Sequence, residues 1–220
     1  MRYPIGIQSF AQIIEGGYVY IDKTRLVYDL THGSMACFLG RPRRFGKSLL
    51  VSTLECYFKG KKHLFKGLAI DRLETEWKEY PVFHLDFNGY NFTKGGSLED
   101  ALLEFVERKE EEYGKDSTAS TLGGRFKAVL KRAHQKTGLR AVVLVDGYDK
   151  PLLDVLDTDL RIEIDGHERK LEDWHRQVLK GFYGVFKAAG DDLQFVFLTV
   201  SAEKTPSERR NAISNIPSIS

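Results

Sequence analysis

The chain has 220 residues, with 33 Lys plus Arg against 31 Asp plus Glu and a formal net charge of +2. A hydrophobic content of 42% with 29% charged residues excludes wholesale disorder, and the near-balance of charge excludes a generic polycation while leaving room for a local basic patch. No apolar run approaches the ~20 residues of a membrane span, and the opening MRYPIGIQSF lacks the form of a secretion signal, so a cytoplasmic protein with no membrane partner is expected.

In chain order, Met35 to Leu39 reads as a buried strand and Gly46 to Phe58 as a helix with apolar positions at Leu50, Val51, Leu54, Tyr57 and Phe58. The two cysteines, Cys37 and Cys56, fall in these segments and have neither disulfide-framework nor metal-ligand spacing. Pro81 to Phe87 is a second strand, with His84 expected as a packed core residue. Ser97 and Asp100 form a loose capping box before a helix whose apolar face is Leu98, Ala101, Leu102, Phe105 and Val106. The charge run Glu107 to Glu112 is read as the solvated flank of that helix. A further helix carries Leu122, Phe126, Val129, Leu130 and Ala133 and closes at Thr137-Gly138.

Ala141 to Asp146 is the clearest buried strand. Glu168 to Ala189 reads as a long helix and Gln194 to Thr199 as a fourth strand. Continuous apolar strands alternating with helices imply an α/β protein with a parallel sheet covered on both faces. The predicted domain is 1–199, and 200–220, which has no apolar period, is expected to be a poorly ordered, divergent tail.

Chemistry concentrates where the first strand meets its helix, in Gly40-Arg41-Pro42-Arg43-Arg44-Phe45-Gly46-Lys47-Ser48. Backbone N–H groups of such a loop and the positive end of the helix dipole converge on an anion. Gly46 allows close approach to phosphates, Lys47 reaches the β- and γ-oxygens, and the Ser48 hydroxyl ligates Mg²⁺. The full pattern asks for glycine five places before Gly46, where Arg41 stands. A later apolar strand ending in Asp146 supplies the acid of the magnesium shell. Against these stand plainer readings: a surface lysine at a helix start and a loop aspartate after a strand.

Beyond these spacings, RPRRFGKSLL at Arg41 to Leu50, VYIDKT at Val19 to Thr24, STLECYFKGKKHLFKGLAI at Ser52 to Ile70, VLVDGYDKPLLD at Val143 to Asp154 and the opening YPIGIQSF resemble the predicted AAA-ATPase-like domain family. The resemblance implies a three-layer P-loop NTPase sandwich with a mainly parallel sheet of strand order 2-3-4-1, counted along the chain, the fifth strand of the class being absent. It implies ATP and Mg²⁺ as cofactors, Arg43, Arg44, Phe45, Gly46, Lys47, Ser48 and Leu49 as nucleotide-binding residues, Ser48 and Asp146 as metal ligands, and Lys47, Asp146 and Thr199 as catalytic residues. It matches Tyr148 to Pro151 with a YDKP motif, and Tyr20, Asp22, Lys23 and Thr24 with a motif placed where related ATPases contact adenine. A helix cap plus a buried tyrosine is the alternative reading of the latter.

Three departures from the family pattern matter. Gly147 stands where the family has the Glu that prepares water, a group of the kind that contributes ~10²–10⁴-fold; Asp149, two residues on, is a candidate substitute with a different reach. Thr199 survives from the polar sensor segment, but Val200 to Glu203 diverges. The chain stops at Ser220, where family members continue into a lid and a restriction-endonuclease-like nuclease domain, which reads as a truncation. The leading expectation is therefore an ATP-binding domain, ancestrally an ATPase, with hydrolysis weak or lost. The alternative is a non-enzymatic, nucleotide-dependent interaction module or an inactive relic. A homo-oligomer fits the habits of the class, and nucleic acid is a third candidate partner through Arg41, Arg43, Arg44 and Lys59, Lys61 and Lys62. The six histidines show no paired metal spacing, and Asp86, at the end of the second strand, is either a site acid or a turn residue.

Overall fold

The computed structural model describes residues 1–201. Its strands are β1 (Ala36–Arg41), β2 (Val82–Asp86), β3 (Ala141–Asp146), β4 (Arg161–Ile164), β5 (His167–Lys170) and β6 (Leu193–Ser201). Its helices are α1 (Phe10–Glu15), α2 (Thr24–Gly33), α3 (Lys47–Phe58), α4 (Ser97–Tyr113), α5 (Leu122–Thr137), α6 (Lys150–Leu153) and α7 (Leu171–Ala188).

A parallel four-stranded sheet runs in the order β1-β6-β3-β2, the expected 2-3-4-1 order with β6 as the fourth strand. Side chains alternate across it. Val142 and Leu144 of β3, with Phe195 and Phe197 of β6, pack into a core built with Phe10 of α1, Val27 of α2 and Val51, Leu54 and Phe58 of α3. Val143, Val145, Val196 and Leu198 face the opposite way, onto Leu102 and Phe105 of α4, Phe126 and Leu130 of α5 and Leu179 and Phe186 of α7. With helices on both faces neither parity can be polar, which is why β3 is buried from end to end. The result is a three-layer α/β sandwich.

Several local expectations change. Ser97 is not the cap of α4: Gly96 occupies that position in a left-handed conformation, and the Ser97 hydroxyl donates to Lys94 O at 2.5 Å. The Glu107–Glu112 run is not wholly solvated, because Glu110 is 6% exposed and accepts from Arg125 at 2.6 and 3.0 Å. The Arg125 guanidinium holds the Glu110 carboxyl below the usual carboxylate range. His84 is half-buried on the edge strand β2, with Nδ1 2.9 Å from Glu55 Oε2, rather than a core residue.

Glu168 to Lys170 belong to a hairpin, not to the long helix. Asp165 and Gly166 both have positive φ, 52° and 75°, as a two-residue hairpin turn requires. The α1 and α2 helices were not foreseen. Val200 and Ser201, assigned to the tail, extend β6 and pair with Gly40 and Arg41. Residues 202–220 of that tail lie outside the described residues.

Candidate functional site

β1 ends at Arg41, and the chain turns through Pro42 to Gly46 into α3. Arg44 and Gly46 are left-handed, with φ of 64° and 72°, and bracket Phe45. Gly46 adopts this conformation at no steric cost, whereas Arg44 is held in one that the Cβ of an L-residue disfavours by about 1–2 kcal/mol. Alternation of hand folds a loop into a concavity lined by N–H groups. Gly46 is the N-cap of α3, its carbonyl accepting from Leu50 N at 3.0 Å, so the N–H groups of the helix's first turn have no acceptor within the helix. The Lys47 ammonium crosses the loop and donates to Arg41 O and Pro42 O, each at 2.9 Å. It fastens the start of the loop where the full pattern would have a glycine.

The acid comes from sheet parity. Asp146 continues the Val142–Leu144 face of β3 and Thr199 the Phe195–Phe197 face of β6, both toward the layer that holds α3. They meet: the Thr199 hydroxyl donates to Asp146 Oδ1 at 2.5 Å and accepts from Gly147 N at 3.0 Å. Tyr148 N donates to Thr199 O at 2.8 Å, and Ser201 N donates to both oxygens of Asp149, at 3.1 and 2.9 Å. Five hydrogen bonds thus tie the end of β3 and the loop after it to the end of β6. Burial pushes the Asp149 carboxyl up to about 6, against the pull of the Ser201 N–H and of the Lys47 and Arg43 charges.

The loop, the end of β3, the start of α6 and the N-terminal segment enclose a cleft of about 850 Å³. Its walls carry Arg43, Arg44, Gly46, Lys47, Ser48, Leu49 and Asp146, so residues a hundred positions apart converge as expected. Two of the expected residues stand apart from the wall. Phe45 is 62% exposed at the loop's tip, and Thr199 is fully buried beneath Asp146, reaching the cleft only through it. Sequence reasoning missed Ile5, Gly6, Ile7, Gln8, Asn88, Lys150, Leu153 and Ser201, which also line the cleft. Only the YPIGIQSF resemblance hinted at the first four. The walls carry Arg43, Arg44, Lys47 and Lys150 against Asp146 and Asp149, a net cationic field suited to a polyanion.

The VYIDKT segment is elsewhere. Asp22 accepts from Thr24 N at 2.8 Å, from the Thr24 hydroxyl at 2.7 Å and from Ala69 N at 2.7 Å, and Thr24 Oγ1 accepts from Ile70 N at 3.1 Å. Tyr20 packs edge-on against Phe10 at 5.2 Å. These residues clamp the start of α2 to the 3-10 turn Ala69–Arg72, a structural role in which Tyr20 is half-buried and the N-cap position itself is Lys23. Asp86 is likewise a turn residue, accepting from Asn88 N and Nδ2 at 2.8 Å each. The basic clusters are separate: Arg43 and Arg44 precede α3, whereas Lys59 is its C-cap and pairs with Glu55 at 2.6 Å.

YDKP is a knot. Tyr148 packs on Tyr183 at 4.5 Å, Lys150 pairs with Asp154 at 2.7 Å, and Pro151 O lies 2.9 Å from His175 Nδ1.

Gly147 has a φ of 72°, and a Cβ built there would lie 3.0 Å from Asn88 Oδ1. Any side chain at this position therefore meets both backbone strain and Asn88. Gly147→Glu is expected to lower stability by about 1–2 kcal/mol, read as a fall in the urea midpoint. Adding Asn88→Ala should recover only the steric part. A Gly147→Glu protein as stable as the parent would contradict the left-handed geometry.

The family profile described as "Predicted AAA-ATPase" matches residues 4–202. A protein of Azotobacter chroococcum mcd 1, described as "Uncharacterized protein in vnfD 5'region", is 36% identical over 221 residues, which cover 100% of this chain and 41% of that protein. The chain thus spans about two fifths of the length of that relative. No solved structure matches the chain significantly. No helix among the described residues is long and apolar enough to cross a membrane.

Proposed function

The chain belongs to the AAA-ATPase-like family of predicted AAA-ATPases, and from that premise we propose that its cleft binds ATP with Mg²⁺. The observation that carries this reading is the meeting, in one cationic cleft, of the Gly46-Lys47-Ser48 helix start with Asp146 at the end of a buried strand. The first-turn N–H groups of α3, Lys47, Arg43 and Arg44 take the phosphates. Ile5, Ile7, Leu49 and Leu153 supply the apolar surface that a nucleobase requires.

For the cation, the donors are hard oxygens: the Ser48 hydroxyl and the Asp146 carboxylate, of which Thr199 fixes one oxygen and leaves the other for a ligand. Among the described residues there is no group of three or more metal-ligating side chains. That suits Mg²⁺, which keeps several waters and takes phosphate oxygens alongside one or two protein ligands. When bound, the cation neutralises charge on the β- and γ-phosphates.

Gly147 brings no side chain into the cleft, so position 147 supplies no water-preparing group, and this favours a second reading in which nucleotide chiefly sets a conformation. The five-bond tie from the end of β3 and the loop after it to the end of β6 is the element such a switch would use.

A thermal melt tests the binding. At ~100 times its dissociation constant, Mg·ATP adds about 2.7 kcal/mol, a rise of roughly 5–10 °C for a chain of this size. Tripolyphosphate with Mg²⁺ should give a smaller rise, because it makes no contact with the apolar wall. Melts unchanged by millimolar Mg·ATP would overturn the proposal.

A further inference from the structure

Hydrolysis of a phosphoanhydride needs a group that positions water and takes its proton as the bond to phosphorus forms. Among the described residues, the cleft walls hold two carboxylates, Asp146 and Asp149, and no histidine or glutamate. Asp146 is engaged by Thr199 and, on the reading above, by the cation. Position 147 has no side chain. The geometry points to Asp149 as the catalytic base of this chain, an assignment that rests on the ATP-binding reading: the proton acceptor lies three residues beyond the metal-binding carboxylate instead of one.

Asp149 is built for the task. It opens α6 on the cleft wall and is only 6% exposed. The N–H of Ser201, at 3.1 and 2.9 Å from its two oxygens, and the residue's own backbone N–H fix its orientation without neutralising it. A carboxylate offers about four lone-pair sites, which leaves capacity beyond these two backbone donors. The charged and titratable groups around it are Lys47 of α3, Arg43 and Arg44 of the loop, Asp146 of β3, Tyr148 beside it and Lys150 of α6, the last held by Asp154 at 2.8 and 2.7 Å. β6 presents the Ser201 N–H, and the segment Ile5 to Gln8 brings no charge. Burial dominates this mixture and holds the carboxyl at about 6. Such a group is ionised at neutral pH and still a better base than an exposed aspartate.

In the step, the water oxygen forms a bond to the γ-phosphorus of ATP and one water proton passes to the Asp149 carboxylate. The electron pair of the bond between the γ-phosphorus and the bridging oxygen leaves with ADP. Inorganic phosphate remains, and Asp149 returns its proton to solvent.

The test measures single-turnover ATP hydrolysis of the full chain with Mg²⁺ from pH 5 to 9, with ATP affinity by calorimetry in parallel. Because the carboxyl is protonated below its raised pKa, the rate should climb with pH up to about 6 and level above it. Asp149→Asn keeps an oxygen for Ser201 N, so it should bind ATP normally, hydrolyse it at least ~100-fold more slowly and lose that pH dependence. The inference is overturned if the wild type binds ATP without hydrolysing it, or if its rate is flat through pH 6. It is overturned equally if Asp149→Asn matches the wild type, or if it loses ATP affinity in step with turnover, which would make Asp149 a structural latch. The wild-type profile stands even if a variant fails to fold, and failure of the parent reading shows separately, as absence of ATP binding.

Discussion

Lys47→Ala is expected to weaken Mg·ATP binding by about 10- to 100-fold, the value of one hydrogen-bonded charge at ~1.5–3 kcal/mol. Two losses add to this effect. The variant removes the cation that faces the phosphates, and it removes the donor that ties Arg41 O and Pro42 O together, each at 2.9 Å. The loop then has to be ordered by the nucleotide itself, which costs part of the binding energy. Lys47 lies at the surface end of α3, outside both hydrophobic cores, so thermal stability without nucleotide should change little. Ser48→Ala separates the cation from the phosphates: affinity for ATP in chelator should match the parent, and the gain from added Mg²⁺ should shrink. Calorimetric titrations with and without Mg²⁺ measure both. Unchanged affinity in Lys47→Ala would remove the loop from the site.

Phe126→Ala is expected to cost about 3–5 kcal/mol of folding stability, a large share of the roughly 5–15 kcal/mol typical of a domain. Phe126 is fully buried on α5 and lies parallel to Phe182 of α7, 4.6 Å between centroids and 9° between planes. Phe83 of β2, Phe105 of α4 and Phe186 of α7 meet it at 6.1, 5.9 and 6.2 Å. One ring therefore joins the sheet to three helices, and its removal leaves a cavity that no single neighbour can fill. Phe126→Leu should cost a smaller part of that sum. Urea unfolding monitored by far-UV circular dichroism gives both values. A loss below about 1 kcal/mol for the alanine variant would show that this layer is packed far more loosely than the ring geometry implies.

Much of the fold was legible because its signals are local. The run Ala141 to Val145 is apolar at both parities, and only a strand covered on both faces tolerates that. Gly46-Lys47-Ser48 announced a helix start suited to anions, and the structure places all three on the cleft wall. The hairpin was legible too, since Asp165-Gly166 between Ile164 and His167 is a two-residue turn signal. The hairpin's apolar signal is short: β4 alternates Arg161-Ile162-Glu163-Ile164 over only four residues, and β5 has no apolar residue at all.

Other features had no local signal. Glu110 sits in a run of charges that reads as solvated, and its burial depends on Arg125, fifteen positions away on another helix. Asp22 and Asp86 are acids next to motif-like residues, and only their bonds to Ala69 and Asn88 show that they hold turns.

From the amino-acid order alone came the α/β class, the strand order through the family resemblance, and the loop and acid of the cleft, because periodicity, glycine and strand ends act over a few residues. Tertiary structure alone decided that Ile5 to Gln8 line that cleft, that Thr199 lies beneath Asp146 and bonds to it, and that Asp149 is buried with its carboxyl pushed up to about 6. Those are properties of distance and desolvation between segments far apart in the chain. They exist only once the sheet has brought β3 and β6 side by side and the helices have excluded water from their ends.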